Sequence, residues 1–186
     1  QRFNEFALNF INSDDEIREL LIKDRKNAIE IVNEKINSGD CSYAELAVNS
    51  LINEKLSGNN LIKRVVLISH SYGGLLTSWF YENWSNDTPM EIHAIATPIS
   101  GMEIVNNMCG YRPPSEIKKN VSVSQWLTQK NLDTAFKDLV IDPQIINLKS
   151  NKTILLPDSY KNRRLGHNWS ISYVADEIIK IRENLD

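Results

Sequence analysis

The chain has 186 residues, 41% hydrophobic and 24% charged, with 21 Lys and Arg against 24 Asp and Glu for a net charge of −3. That length suits one domain spanning 1–186 and buries roughly 70% of the surface the unfolded chain exposes, so folding needs no disulfide or metal staple. The charge balance argues against non-specific nucleic-acid binding, and no apolar run approaches the ~20 residues of a membrane span.

Two cysteines, Cys41 and Cys109, are too few for a disulfide scaffold or a zinc site. Neither lies in a pattern that would supply a base. The first residue is Gln1 and no leader pattern is visible. This fits a chain cut from a longer product or freed of a leader. A cytoplasmic location is expected, with secretion after leader removal as the other option.

Residues 1–60 read as helical. Ile17, Leu20, Leu21, Ala28, Ile31 and Val32 recur at three- and four-residue spacing over 16–36. A second helix is expected over 43–56, stopped by Ser57-Gly58-Asn59-Asn60. From residue 61 the pattern changes. Arg64-Val65-Val66-Leu67-Ile68 is short, apolar and β-branched, as expected of a strand buried on both faces of a parallel sheet. A tight corner at 69–74 leads to a helix over 75–84. Further strands are expected over 92–96, 121–127 and 153–157, and a last helix over 170–183. Residues 134–140 also look helical. Strands alternating with helices predict an α/β domain with a mostly parallel sheet flanked by helices, of about four strands.

The corner carries the chemistry. Ser71 stands between a strand and a helix, with Ser69 two residues before it and Gly73 two after. This is a nucleophile elbow written S-x-S-x-G. Small residues are required because the sharp turn brings the flanking backbone together and strains the nucleophile's own φ/ψ. The turn also puts Ser71 at a helix N-terminus, where the Tyr72 backbone N–H can face an oxyanion.

Val66-Leu67-Ile68-Ser69-His70-Ser71-Tyr72-Gly73-Gly74 resembles the nucleophile region of the α/β-hydrolase superfamily, in its lipase/esterase branch. Ile95-Ala96-Thr97-Pro98-Ile99-Ser100-Gly101 resembles a segment that follows the next strand in many lipase-like members. The resemblance covers residues 61–183 and implies the order nucleophile, acid, base at successive strand ends. Asp133, after the third strand, takes the acid position. His167, after the fourth strand and before the last helix, takes the base position. A histidine, titrating at about 6.5, suits proton transfer near neutrality. Asp133 would hold its tautomer and stabilise the imidazolium. Asp142 and Asp158 compete for the acid role. Asp142 lies farther from the third strand, and Asp158 follows the strand that supplies the base loop.

Of the other histidines, His93 reads as a satisfied core residue. His70 reads as pointing away from Ser71, in a packing or substrate-side role. Trp79, Trp84, Trp126 and Trp169 read as core or pocket wall. Arg163 and Arg164 read as a solvated pair, or as a preference for an anionic substrate.

The expected function is a serine hydrolase of carboxylic esters acting through an acyl-enzyme. Its partner would be a small ester or acyl substrate, with neither metal nor organic cofactor. Transfer to an acceptor other than water stays open. Residues 1–60 hold no strand or His-Gly motif that would give a second oxyanion donor, so a truncated or divergent member is expected. The other reading, from a different class, is a non-catalytic domain that keeps the fold and binds a ligand.

Overall fold

A computed structural model describes residues 42–57, 59, 61–103, 106–107 and 110–183. The helix expected over 16–36 and both cysteines lie outside them. The chain divides into two compact units, one of residues 1–63 and 103–111, the other of 64–102 and 112–186. Among the described residues of the first unit is α1 (Ser42–Leu56), the expected second helix. Burial pushes the Glu45 carboxyl on α1 up to about 7.

The second unit is built on β1 (Val65–His70), α2 (Tyr72–Asn83), β2 (Met90–Ile95), β3 (Val121–Leu127), β4 (Asn151–Leu155) and α3 (Ser170–Glu183). The four strands form one parallel sheet in the order β1-β2-β3-β4. Side chains alternate along each strand, so the sheet has two apolar faces. On one, Ser69 meets Thr77 of α2 through their hydroxyls, 2.8 Å apart. On the other, Ile95 and Trp126 join Val174 and Ile178 of α3 in a buried cluster with Phe136, Leu156 and Leu165. Helices therefore flank the sheet on both sides, the general α/β arrangement.

Two expectations change, and one element is new. β1 is not buried on both faces: it is an edge strand among those described, and Ile68 is 57% exposed. Central β2, paired on both edges, is buried at every position but Glu91. Residues 134–140 form turns, not a helix. The Asp133 carboxylate and carbonyl draw in the N–H groups of Ala135, Phe136 and Lys137. This is the local competition that Asp offers to a helix. Finally, a small hairpin, β5 (Ser159–Tyr160) with β6 (Arg163–Arg164), precedes the base loop. Its turn residues Lys161 and Asn162 both have positive φ, 48° and 59°. That suits a type I′ turn, and no glycine announced it.

His93 is buried in the sheet, as its reading as a core residue implied. Its Nδ1 accepts from Trp126 Nε1 at 3.1 Å, so its proton sits on Nε2 and is donated to Glu91 Oε1 at 2.8 Å. Burial, reinforced by the charges of Arg182 and Lys152, holds His93 below the ordinary histidine value despite Glu91. A proton on Nδ1 would face the Trp126 N–H. The unfolded chain therefore binds more protons once pH falls below about 6.5, and stability declines from there toward the lowered folded value. His70 is lowered in the same direction. Glu45 works the other way, its raised carboxyl taking up a proton in the folded chain over the same range, so the test is a comparison: between pH 7 and 5 the urea midpoint of His93→Gln is expected to fall less, or rise more, than that of the wild type. An equal change in the two proteins would refute this assignment.

Candidate active site

In a parallel sheet the loops that follow the strands gather at one end, where α/β proteins place ligands. Ser71 follows β1, Asp133 follows β3, and His167 lies between the hairpin and α3. The structure brings all three together. His167 Nε2 lies 2.9 Å from Ser71 Oγ, and His167 Nδ1 lies 3.0 Å from Asp133 Oδ2.

Ser71 has φ 55° and ψ −128°, a backbone region that costs a side-chain-bearing residue of order 1–3 kcal/mol. Its N–H donates to the Ile95 carbonyl at the end of β2, and its own carbonyl accepts from Gly74 N. The elbow is thus fastened to the sheet on one side and to α2 on the other. Gly74 makes the turn possible: a Cβ there would stand 1.9 Å from Thr97 Oγ1. Tyr72 opens α2. Its backbone N–H, at the first helical position, has no acceptor within the helix, and the positive end of the helix dipole lies there.

Asp133 is wholly buried. Burial pushes its carboxyl up. Hydrogen bonds from His167, from Thr128 Oγ1 and from the Ala135 N–H outweigh that and hold it below the ordinary carboxylate value. It is therefore an anion at neutral pH and an acceptor for the His167 Nδ1–H. Sequence reasoning missed the residue that anchors this loop, Gln144. Its buried side chain accepts from Thr128 N at 2.9 Å and donates to Thr128 O at 3.1 Å. Asp142, the competing acid, accepts instead from the N–H and side-chain amide of Gln144. Asp158 accepts at its carbonyl from Leu165 N. Neither is placed as a partner of His167.

The base loop approaches the acid loop closely. A Cβ at Gly166 would come 3.2 Å from the Leu132 carbonyl. The Phe136 and His167 rings meet in a T-shaped contact, with centroids 5.2 Å apart and planes at 85°. His70, expected to point away from Ser71 in a packing or substrate-side role, packs beside that ring at 4.7 Å. The strand alternation that aims His70 toward the α3 side would send an extended residue 71 to the other side. The positive φ of Ser71 breaks the alternation, and both side chains reach His167.

Trp126 is buried under the site, and Trp169 donates to the Tyr160 carbonyl. Arg163 stacks on Trp169, 4.2 Å from its ring centre. The pair's other member, Arg164, lies exposed in β6. Among the described residues no cluster of three or more His, Cys, Asp or Glu is arranged to hold a metal, and no helix is long and apolar enough to cross a membrane. Comparison of the chain with family models, curated proteins and solved structures finds no match.

Proposed function

We propose that this chain is a serine hydrolase of the α/β-hydrolase type that cleaves carboxylic esters through an acyl-enzyme on Ser71. The observation that carries the reading is the hydrogen-bonded line Ser71 Oγ–His167 Nε2, His167 Nδ1–Asp133 Oδ2, at 2.9 and 3.0 Å, on a strained strand-to-helix turn. With Nδ1–H donated to the Asp133 anion, Nε2 is the free base and accepts the Ser71 proton. Oγ then bonds to the ester carbonyl carbon. Charge gathers on the carbonyl oxygen, facing the Tyr72 N–H and the α2 N-terminus. His167 returns the proton to the departing alkoxide, the C–O bond of the ester breaks, and the alcohol leaves. Water repeats the sequence on the acyl-enzyme: His167 takes its proton, the acid is released, and Ser71 recovers its hydrogen.

The competing ligand-binding reading predicts no such chemistry. A fluorophosphonate separates the two. We expect a single adduct on Ser71, found by peptide mass. Folded protein that stays unlabelled, and hydrolyses p-nitrophenyl acetate no faster than Ser71→Ala, would sink the hydrolase reading.

A further inference from the structure

His70 and Ser71 are consecutive, yet both reach the same residue, 97 and 96 positions away. Ser71 meets the His167 imidazole, while His70 Nε2 lies 2.9 Å from the His167 backbone oxygen. A carbonyl can only accept, so His70 carries its proton on Nε2. The same carbonyl accepts from Ser170 Oγ in the first turn of α3 at 2.5 Å. One lone pair is thus tied to α3 and the other to the end of β1. The His167 ring packs against two rings, His70 at 4.7 Å and Phe136 at 5.2 Å between centroids.

We propose that His70 is a positioning residue of this site: its Nε2–H grips the His167 carbonyl and fixes the imidazole between Ser71 and Asp133. The proposal rests on the serine-hydrolase reading for its catalytic consequence, though the grip itself does not. His167 sits in a loop between a two-residue strand and a helix, so its backbone needs a tether to hold the ring within hydrogen-bond tolerance of two partners at once. A strand of a parallel sheet is a rigid place to tether it. Placing the tether beside the nucleophile means the base moves with the elbow. The donor must also be uncharged, because a cation 4.7 Å from the His167 ring would oppose the imidazolium that forms during catalysis. Burial is the largest influence on His70. It holds the ring below the ordinary histidine value, against the carbonyl bond and the Asp133 charge, so the tether is neutral at pH 7.

The test compares His70→Leu, which keeps bulk and loses the donor, with His70→Gln, whose amide N–H can replace it. With p-nitrophenyl acetate, His70→Leu is expected to lower kcat by about 10- to 100-fold, the scale of a misplaced catalytic group, with KM unchanged. Fluorophosphonate labelling should slow by the same factor, and His70→Gln should restore most of both. Imidazole ¹⁵N spectra of the full chain supply a readout without catalysis. His167 should hold one Nδ1–H tautomer in the wild type and in His70→Gln, and should shift or broaden in His70→Leu. Equal kcat in all three proteins, equal losses in both variants, or unaltered His167 resonances in His70→Leu would overturn the proposal. If the wild type neither labels nor hydrolyses, the hydrolase reading fails while the spectra still decide the grip. Should His70→Leu not fold, His70→Asn, with too short an amide to span the gap, takes its place.

Discussion

Ser71→Ala is expected to fold as the wild type does and to lose ester hydrolysis by a factor of about 10⁴ or more, the scale set by removing a nucleophile from a triad. Ser71→Gly should lose activity equally, yet differ in stability. Ser71 sits at φ 55° and ψ −128°, where the presence of a Cβ costs about 1–3 kcal/mol. Alanine keeps that Cβ and keeps the strain. Glycine removes it, while giving back about 0.4–1 kcal/mol through a freer unfolded chain. The net expectation is that Ser71→Gly is more stable than Ser71→Ala by about 1 kcal/mol, or about 2–4 °C in Tm for a domain of this size. Thermal unfolding of the two variants measures it directly. If Ser71→Gly is the less stable of the pair, the elbow is not strained as described, and the case for a built nucleophile weakens with it.

The parts of this site that sequence revealed are the parts that local physics dictates. An apolar β-branched run, a tight corner of small residues and an amphipathic helix are all encoded within a few positions. The elbow, β3 (Val121–Leu127) and α3 (Ser170–Glu183) fall where periodicity puts them. The candidate acid and base came from the order nucleophile, acid, base that the resemblance implies, carried on loops that share one end of a parallel sheet. What could not be read depends on contacts distant in sequence or on competing local bonds. Whether Val65–Ile68 is buried on both faces depends on what lies beside β1, and the same residues at an edge leave Ile68 exposed. Gln144 is an ordinary polar residue until its side chain closes on the Thr128 backbone, 16 positions away. The contact of His70 with His167 was not read because a strand-alternation argument stops at Ser71, where the backbone leaves extended geometry. The site is therefore read most safely up to its strained residue, and least safely at that residue's neighbours.

Gly74→Ala tests how tightly the elbow is built. By helix propensity alone the change should stabilise, since alanine is better than glycine inside a helix by about 1 kcal/mol. Here the close approach outweighs propensity. The new Cβ would lie 1.9 Å from Thr97 Oγ1, 2.4 Å from Cγ2 and 2.6 Å from Cβ. Turning the threonine side chain moves the first two atoms. It cannot move the third, which is fixed to the backbone. The Thr97 backbone is in turn held in place: Ala96 N donates to the Trp126 carbonyl, and Ser71 N donates to the Ile95 carbonyl. Either α2 shifts away from the sheet, taking Ser71 and Tyr72 with it, or the end of β2 distorts. We expect a loss of about 3 kcal/mol and a fall in Ser71 labelling beyond what unfolding explains. Thr97→Gly removes all three clashing atoms. The double variant should therefore recover about 2 kcal/mol relative to the sum of the single changes, as coupled neighbours do in a double-mutant cycle. A Gly74→Ala protein that melts higher than the wild type would show that α2 and the Thr97 segment are not in contact. The elbow would then lack the close packing that holds Ser71 in its strained turn.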